Sequence, residues 1–188
     1  MKLCIPQDQT ALDICRKVGK QVFLHLLPHK CAFTVNFQTN FINLAAETNE
    51  NMPFYVKNMV VREISMMPVS FKDAKIIVLG IAFKKDVDDI RHSPALKVME
   101  LLHADGARNL MYNDPFVPSV RADGLNFRSH ELTKEFLGSA DCVVITTDHS
   151  SYDYDFIVKH SKCVIDTRNA TKKVKEGRDK IVVLGDGK

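Results

Sequence analysis

Apolar positions along the chain follow two unlike patterns. From about residue 71 onward, short runs rich in Ile, Val and Leu alternate with amphipathic stretches. Ala74-Lys75-Ile76-Ile77-Val78-Leu79-Gly80 is apolar, β-branched and ends in Gly, which predicts a buried parallel strand followed by a turn. Ser93-Pro94 then opens a helix, with Ser at the N-cap and Pro at the first helical position. Ala95, Val98, Met99 and Leu102 recur at helical spacing and form one apolar face, and Gly106 follows as a C-cap. Leu110-Met111-Tyr112 predicts a short strand running into an Asp114-Pro115 turn. His130 to Leu137 predicts a short helix, Asp141 to Thr147 a buried strand and Tyr152 to His160 a helix. Cys163-Val164-Ile165-Asp166 and Lys180 to Leu184 predict two further strands. Strands alternating with helices at these lengths imply right-handed βαβ units, hence an α/β fold with a doubly wound parallel sheet covered on both faces.

Residues 1–70 read differently. Phe41 to Ile64 is mostly helical in pattern, with Val56, Met59, Val60 and Ile64 on one face. Pro53 should kink or restart that helix near Met52. A helix ahead of an α/β domain has no obvious way to bury its own apolar face, so a partner or a missing domain is expected to cover it. The segment from Lys20 to Gln38 is the least readable: Val22 to Leu27 is apolar, Pro28 breaks the run, and strand and helix both fit.

Composition narrows the class of protein. The 188 residues are 45% apolar and 26% charged, the mixture of an ordinary globular chain rather than a disordered tail or a disulfide-rich miniprotein. Apolar runs such as Cys142 to Ile145 are far shorter than the roughly 20 residues a membrane-spanning helix needs, and Met1 to Pro6 has no apolar signal-peptide core. With 26 basic against 23 acidic residues the balance is too even for a nucleic-acid binder. The five cysteines include no C-x-x-C pair, so no residue is assigned to a metal. Cys142 and Cys163 sit in apolar runs as small buried hydrophobes, and a reducing cytoplasm is the expected compartment.

Candidate chemistry concentrates after the first strand. In a doubly wound sheet ligands bind beyond the carboxyl ends of strands. The loop from Gly80 to Pro94 brings Lys84, Lys85 and Arg91 close to a helix start, a suitable arrangement for phosphate or carboxylate, with Phe83 available for a ring contact. On residue types alone a bland alternative stands beside this: a solvated loop in which Asp86, Asp88 and Asp89 neutralise the bases.

The order of residues in that loop carries a resemblance. Val78-Leu79-Gly80-Ile81-Ala82-Phe83-Lys84-Lys85-Asp86-Val87-Asp88-Asp89-Ile90-Arg91, then Ser93-Pro94-Ala95-Leu96, closely resembles the signature that opens the UDP-sugar-binding domain of the UDP-glucose/GDP-mannose dehydrogenase family. Gly106-Ala107, Tyr112-x-Asp114-Pro115, Ser139 to Thr146 and Asp166-Thr167-Arg168-Asn169 resemble later elements of that domain, in order. Leu44-Ala45-Ala46-Glu47-x-Asn49-x-x-Met52-Pro53 resembles the end of the helix linking the family's two domains. The likeness covers about residues 40–187 and implies a Rossmann-like fold for 71–188, the UDP-sugar-binding domain. Residues 1–70 would hold what remains of the catalytic-cysteine loop and of the central dimerisation helix.

A shorter likeness lies at the start. Cys4-Ile5-Pro6-Gln7-Asp8 resembles the family's catalytic-cysteine loop. These enzymes oxidise a sugar C6 alcohol twice with NAD, through a thiohemiacetal and a thioester on the cysteine. The resemblance thus implies Cys4 as nucleophile and Asp8 in proton transfer or water activation. It implies contacts from Phe83, Lys84 and Arg168 to the UDP-sugar, and from Arg91 to the pyrophosphate of NAD. For Arg168 a salt bridge to Asp166 or Asp148 is the competing use. His92 replaces a residue that is usually acidic, and the other histidines carry no motif and read as structural or solvated.

Departures from the family are equally informative. Met1-Lys2-Leu3 stands where the family has a Gly-rich stretch, Lys20 to Gln38 has no counterpart, and no G-x-G-x-x-G occurs anywhere. The NAD site is therefore expected to be incomplete in these residues. The expectation is a partial nucleotide-sugar 6-dehydrogenase, with the UDP-N-acetylhexosamine branch favoured by the C-I-P-x-D loop together with Asn-x-x-Met-Pro. The alternative is a non-catalytic UDP-sugar-binding or inert remnant. Expected partners are a UDP-sugar and either a second copy through residues 41–64 or a separate Rossmann-domain chain, with no nucleic acid and no membrane.

Overall fold

The computed structural model describes residues 40–122 and 124–185. Cys4, Asp8 and the segment from Lys20 to Gln38 lie outside the described residues. The chain divides into two compact units, Met1–Asn51 and Met52–Lys188. The second is an α/β unit in which a five-stranded sheet carries every later functional candidate.

The elements, in chain order, are α1 (Asn40–Ser65), β1 (Lys75–Leu79), α2 (Pro94–Ala104), β2 (Asn109–Asn113), β3 (Ser119–Ala122), β4 (Leu125–Arg128), α3 (Lys134–Ser139), β5 (Cys142–Ile145), α4 (Tyr154–His160), β6 (Val164–Asp166) and β7 (Ile181–Val183). The large sheet runs β2-β1-β5-β6-β7, with all four neighbouring pairs parallel. Chain order moves outward in one direction from β1 to β2, then returns to the other side of β1 for β5, β6 and β7. The switch point of this doubly wound sheet therefore lies between β1 and β5, and in folds of this kind ligands bind beyond the carboxyl ends of the strands at that point.

Every position of β5 is buried, as both faces of a parallel sheet require. The period of two survives in what each side chain touches. Ile76, Cys142, Val144 and Ile165 pack on one face against Val98 and Leu102 of α2 and Val56, Met59, Val60 and Ile64 of α1. Ile77, Leu79, Val143, Ile145 and Val164 pack on the other, against Leu137 of α3 and Ile157 and Val158 of α4. Cys142 and Cys163 are buried free thiols, as their apolar settings predict.

Two expectations about α1 are corrected. Of the kink or restart expected at Pro53, the restart does not occur: the helix runs from Asn40 to Ser65 with the proline inside. The loss is one backbone donor, which a helix of this length tolerates when its next turns are anchored. The anchor is the second correction: Val56, Met59, Val60 and Ile64 are covered by the chain's own α/β unit rather than by a partner or another domain. At about 1.5–3 kcal/mol per fully buried side chain, that seam fastens the second half of α1 to the sheet. Lys57 adds a 2.7 Å ion pair to Asp105 at the end of α2. Leu44, Phe54 and Tyr55 of the same helix are exposed.

Two helix starts shift, and one expected cap is used differently. The helix expected from His130 begins at Lys134, because Thr133 caps it by accepting from the Phe136 amide at 3.1 Å, while the His130 amide donates to Tyr112 O. The helix expected from Tyr152 begins at Tyr154 under an Asp153 cap. Ser93 stands at the N-cap of α2, but its hydroxyl donates to Ile81 O at 2.6 Å instead of accepting from the helix. The antiparallel hairpin of β3 and β4 went unpredicted, although the Asp123-Gly124 dipeptide is a hairpin signal and Gly124 sits at φ +74°.

Candidate functional site

Three loops leave the carboxyl edge of the sheet next to the switch point: Gly80–Ser93 after β1, Thr146–Asp153 after β5, and Thr167–Asn169 after β6. The β1 and β5 loops are laced together. Thr146 Oγ1 donates to Gly80 O and Thr147 Oγ1 to Ala82 O, both at 2.6 Å. Gly80 is required here, since it sits at φ +78° and an added Cβ would lie 2.5 Å from Thr147 O.

A buried carboxylate organises the start of the β1 loop. Asp114 Oδ2 accepts from the amides of Ile81 (2.7 Å) and Ala82 (3.0 Å), and Oδ1 accepts from the Phe116 amide (2.9 Å). His149, fully buried, completes the set through Nε2 at 3.1 Å from Asp114 Oδ2. Its other nitrogen, Nδ1, accepts from the Asp86 amide at 2.9 Å. Asp86 adopts φ +60° and accepts from the Ser150 amide and hydroxyl, both at 2.7 Å, which lowers its carboxyl below the usual range. The loop is thus pinned at residues 81–82 and again at 86.

Lys84 and Lys85 lie between the pins, and both are exposed. Lys84 has no carboxylate partner among the described residues; its ammonium stands 5.8 Å from the centroid of the Phe83 ring, which is 45% exposed. Arg91 behaves otherwise. Its guanidinium makes two 3.0 Å bonds to Asp89, and this pairing holds the Asp89 carboxyl at about 2. Within the loop, Arg91 is thus neutralised by an aspartate, as the solvated-loop alternative has it, while Lys84 is exposed without such a partner among the described residues.

The β6 loop is built on a second buried carboxylate. Asp166 accepts from the amides of Arg168, Ala170 and Thr171 and from the Thr171 hydroxyl, at 2.6–3.1 Å. Arg168 leaves this corner toward the β5 loop, where its Nε lies 3.3 Å from Asp148 Oδ1, the second of its two expected ion-pair partners. Phe83, Lys84 and Arg168 accordingly belong to adjacent loops of one edge, joined through Ala82, Thr147 and Asp148. Cys4 and Asp8 lie outside the described residues, so their relation to this edge is not part of the geometry. Asp114, His149, Asp86 and the threonine pair were missed as site components. The available signal was Thr146-Thr147-Asp148-His149 directly after a buried strand, at the edge where ligands bind.

The described residues alone do not fit a dinucleotide. Arg91, the one residue assigned to NAD, is engaged by Asp89, and no glycine-rich phosphate loop precedes a helix in the sequence. Among the described residues no helix is long and apolar enough to cross a membrane.

Residues 77–173 match the UDP-glucose/GDP-mannose dehydrogenase family, UDP binding domain. A UDP-N-acetyl-D-mannosamine dehydrogenase of Methanococcus vannielii is 32% identical over 157 residues, which are 78% of this chain and 35% of that protein. The Pyrococcus horikoshii enzyme of the same name is 31% identical over 136 residues, 70% of this chain and 30% of its own. Among solved structures, UDP-D-ManNAc dehydrogenase from Pyrococcus horikoshii aligns with a TM-score of 0.64 at 28% identity, covering 83% of this chain and 35% of that one. An NDP-N-acetyl-D-galactosaminuronic acid dehydrogenase from Methanosarcina mazei gives 0.62 at 26% identity, covering 98% and 38%. The chain spans about a third of the length of the curated relatives it matches.

Proposed function

This chain belongs to the UDP-glucose/GDP-mannose dehydrogenase family, and on that premise we propose that the carboxyl edge of its sheet binds the diphosphate and base of a UDP-sugar. The observation that carries the reading is Lys84: an exposed ammonium without a carboxylate partner among the described residues, beside an exposed aromatic ring, on a loop pinned on both sides at the switch point. Phe83 supplies the ring contact and Arg168 approaches from the β6 loop once it exchanges Asp148 for the ligand. Calorimetric titration of UDP into the 188-residue chain tests this. Lys84→Ala is expected to weaken binding about tenfold, the scale of one charge-assisted hydrogen bond, at unchanged thermal stability. Equal affinity of the two proteins overturns the assignment.

The reaction served would be NAD-dependent oxidation of the sugar C6 alcohol to the uronic acid, a precursor of polysaccharide, carried out in the cytoplasm. Cys4 would be the nucleophile and Asp8 the proton-transfer group. The names of the relatives favour a UDP-N-acetylhexosamine as the sugar nucleotide. Arg91 would reach the cofactor's pyrophosphate only after release from Asp89. A Rossmann domain carrying G-x-G-x-x-G would have to be supplied alongside these residues, as a separate chain or as further sequence; a second copy through residues 41–64 is the alternative partner. A second reading, UDP-sugar binding without turnover, is favoured by the engagement of Arg91 with Asp89. NADH formation from UDP-sugar and NAD after mixing with a family Rossmann domain separates the two.

A further inference from the structure

We propose that His149 is a positioning residue for the UDP-sugar site, acting as the Nε2–H tautomer to hold the β1 loop in its ligand-presenting conformation. The proposal rests on the reading of this edge as a nucleotide site and names what sets its shape.

The tautomer follows from the bonds. A backbone amide can only donate, so the Asp86 N–H at 2.9 Å requires Nδ1 to be bare. The proton then sits on Nε2 and points at Asp114 Oδ2, 3.1 Å away. The ring is held between Phe116, with centroids 5.1 Å apart, and Tyr152, at 5.5 Å and edge-on. It is fully buried, so neither nitrogen has water as a substitute partner.

The two bonds join the two pins of the loop. Asp114 holds the amides of Ile81 and Ala82, His149 holds Asp114, and the same imidazole holds the amide of Asp86. Phe83 and Lys84 lie within the span that this bridge closes. Asp86 sits at φ +60°, a conformation that costs a non-glycine residue and persists only when its surroundings impose it. Without the Nδ1 acceptor the second pin is reduced to the exposed bonds between Asp86 and Ser150.

Two isosteric amides separate the bonds. The Oδ1 of Asn stands where Nδ1 does and can accept from Asp86; the Nε2 of Gln stands where Nε2 does and can donate to Asp114. His149→Asn should keep UDP affinity within about threefold of wild type, whereas His149→Gln should lose about tenfold, the scale of one unmade buried hydrogen bond. Nitrogen-15 NMR of the wild type should show a bare Nδ1 and a protonated Nε2. Hydrogen exchange at the Asp86 amide should accelerate in His149→Gln and not in His149→Asn. Equal UDP affinity of the Gln variant and wild type, parallel losses in both variants that track thermal stability, or the opposite tautomer each overturns the proposal. If wild type does not bind UDP, the reading of the site fails, and the tautomer with the Asp86 exchange rates still decides whether His149 holds the loop.

Discussion

Asp114 and Asp166 are both buried carboxylates at the carboxyl edge of one sheet, and each accepts four hydrogen bonds. They do so at very different ranges. Every partner of Asp166 lies two to five residues further along the chain. Three of the four bonds to Asp114 reach residues 32, 33 and 35 positions away. The Asp166 corner is a local capping device that can form as soon as β6 ends. The Asp114 cluster exists only when β1, β2 and β5 are already side by side. The loop that displays Lys84 is therefore conditional on the assembled sheet, while the corner that displays Arg168 is nearly self-contained.

The sharpest way to break this contrast is to remove each carboxylate. Asp114→Ala leaves the amides of Ile81, Ala82 and Phe116 without an acceptor and strands His149, so a loss of about 4 kcal/mol in urea unfolding is expected, with amide protection lost from Gly80 to Asp86. Asp166→Ala should cost less, about 3 kcal/mol, and should deprotect only Arg168 to Thr171. Equal deprotection of the β1 loop by Asp166→Ala would show that the two devices are not separate. Gly80→Ala comes next. A Cβ 2.5 Å from Thr147 O at φ +78° forces the β1 and β5 loops apart, for an expected loss of about 2–3 kcal/mol and a weaker UDP complex. A fully stable Gly80→Ala protein would mean that the lacing between those loops is loose.

The smallest effect belongs to the exposed pair of Arg91 and Asp89. Bonds from Arg91 hold the Asp89 carboxyl down at about 2 in the folded protein, so the pairing is present above the ordinary carboxylate value of about 3.9 and lost as pH falls through about 2. Carbon-13 NMR of the Asp89 carboxyl should give a midpoint near 2 that returns toward 3.9 in Arg91→Ala. Added UDP should leave it unmoved, because Arg91 is assigned to the other nucleotide. A midpoint that shifts with UDP would move Arg91 into the sugar-nucleotide site.

Much of the sheet is legible in the sequence. The strands over Lys75–Leu79 and Cys142–Ile145 follow from continuous β-branched runs, since strands buried on both faces have no polar phase to hide. The α2 helix follows from Ser93-Pro94 and its apolar period. The start of α3 was placed early, at His130, because the amide that settles it bonds across to Tyr112 on β2. Lys84 stood out by residue type and by family likeness. His149 did not: one histidine among seven scattered ones carries no period and no motif, and its role depends on Asp114 and Asp86, both distant in the chain.

What the sequence alone determined is what is written in local pattern: the order of the parallel strands and of the helices between them, the family likeness and the basic loop after β1. Only the tertiary structure decided which charges in that loop are available and which are engaged, that the apolar face of α1 closes on its own domain, and that a histidine and an aspartate from two other loops set the shape of the first. The reason is physical. Secondary structure follows from the spacing of neighbours along the chain, whereas the state of a charge or the tautomer of an imidazole follows from neighbours in space, and those exist only once the strands have paired.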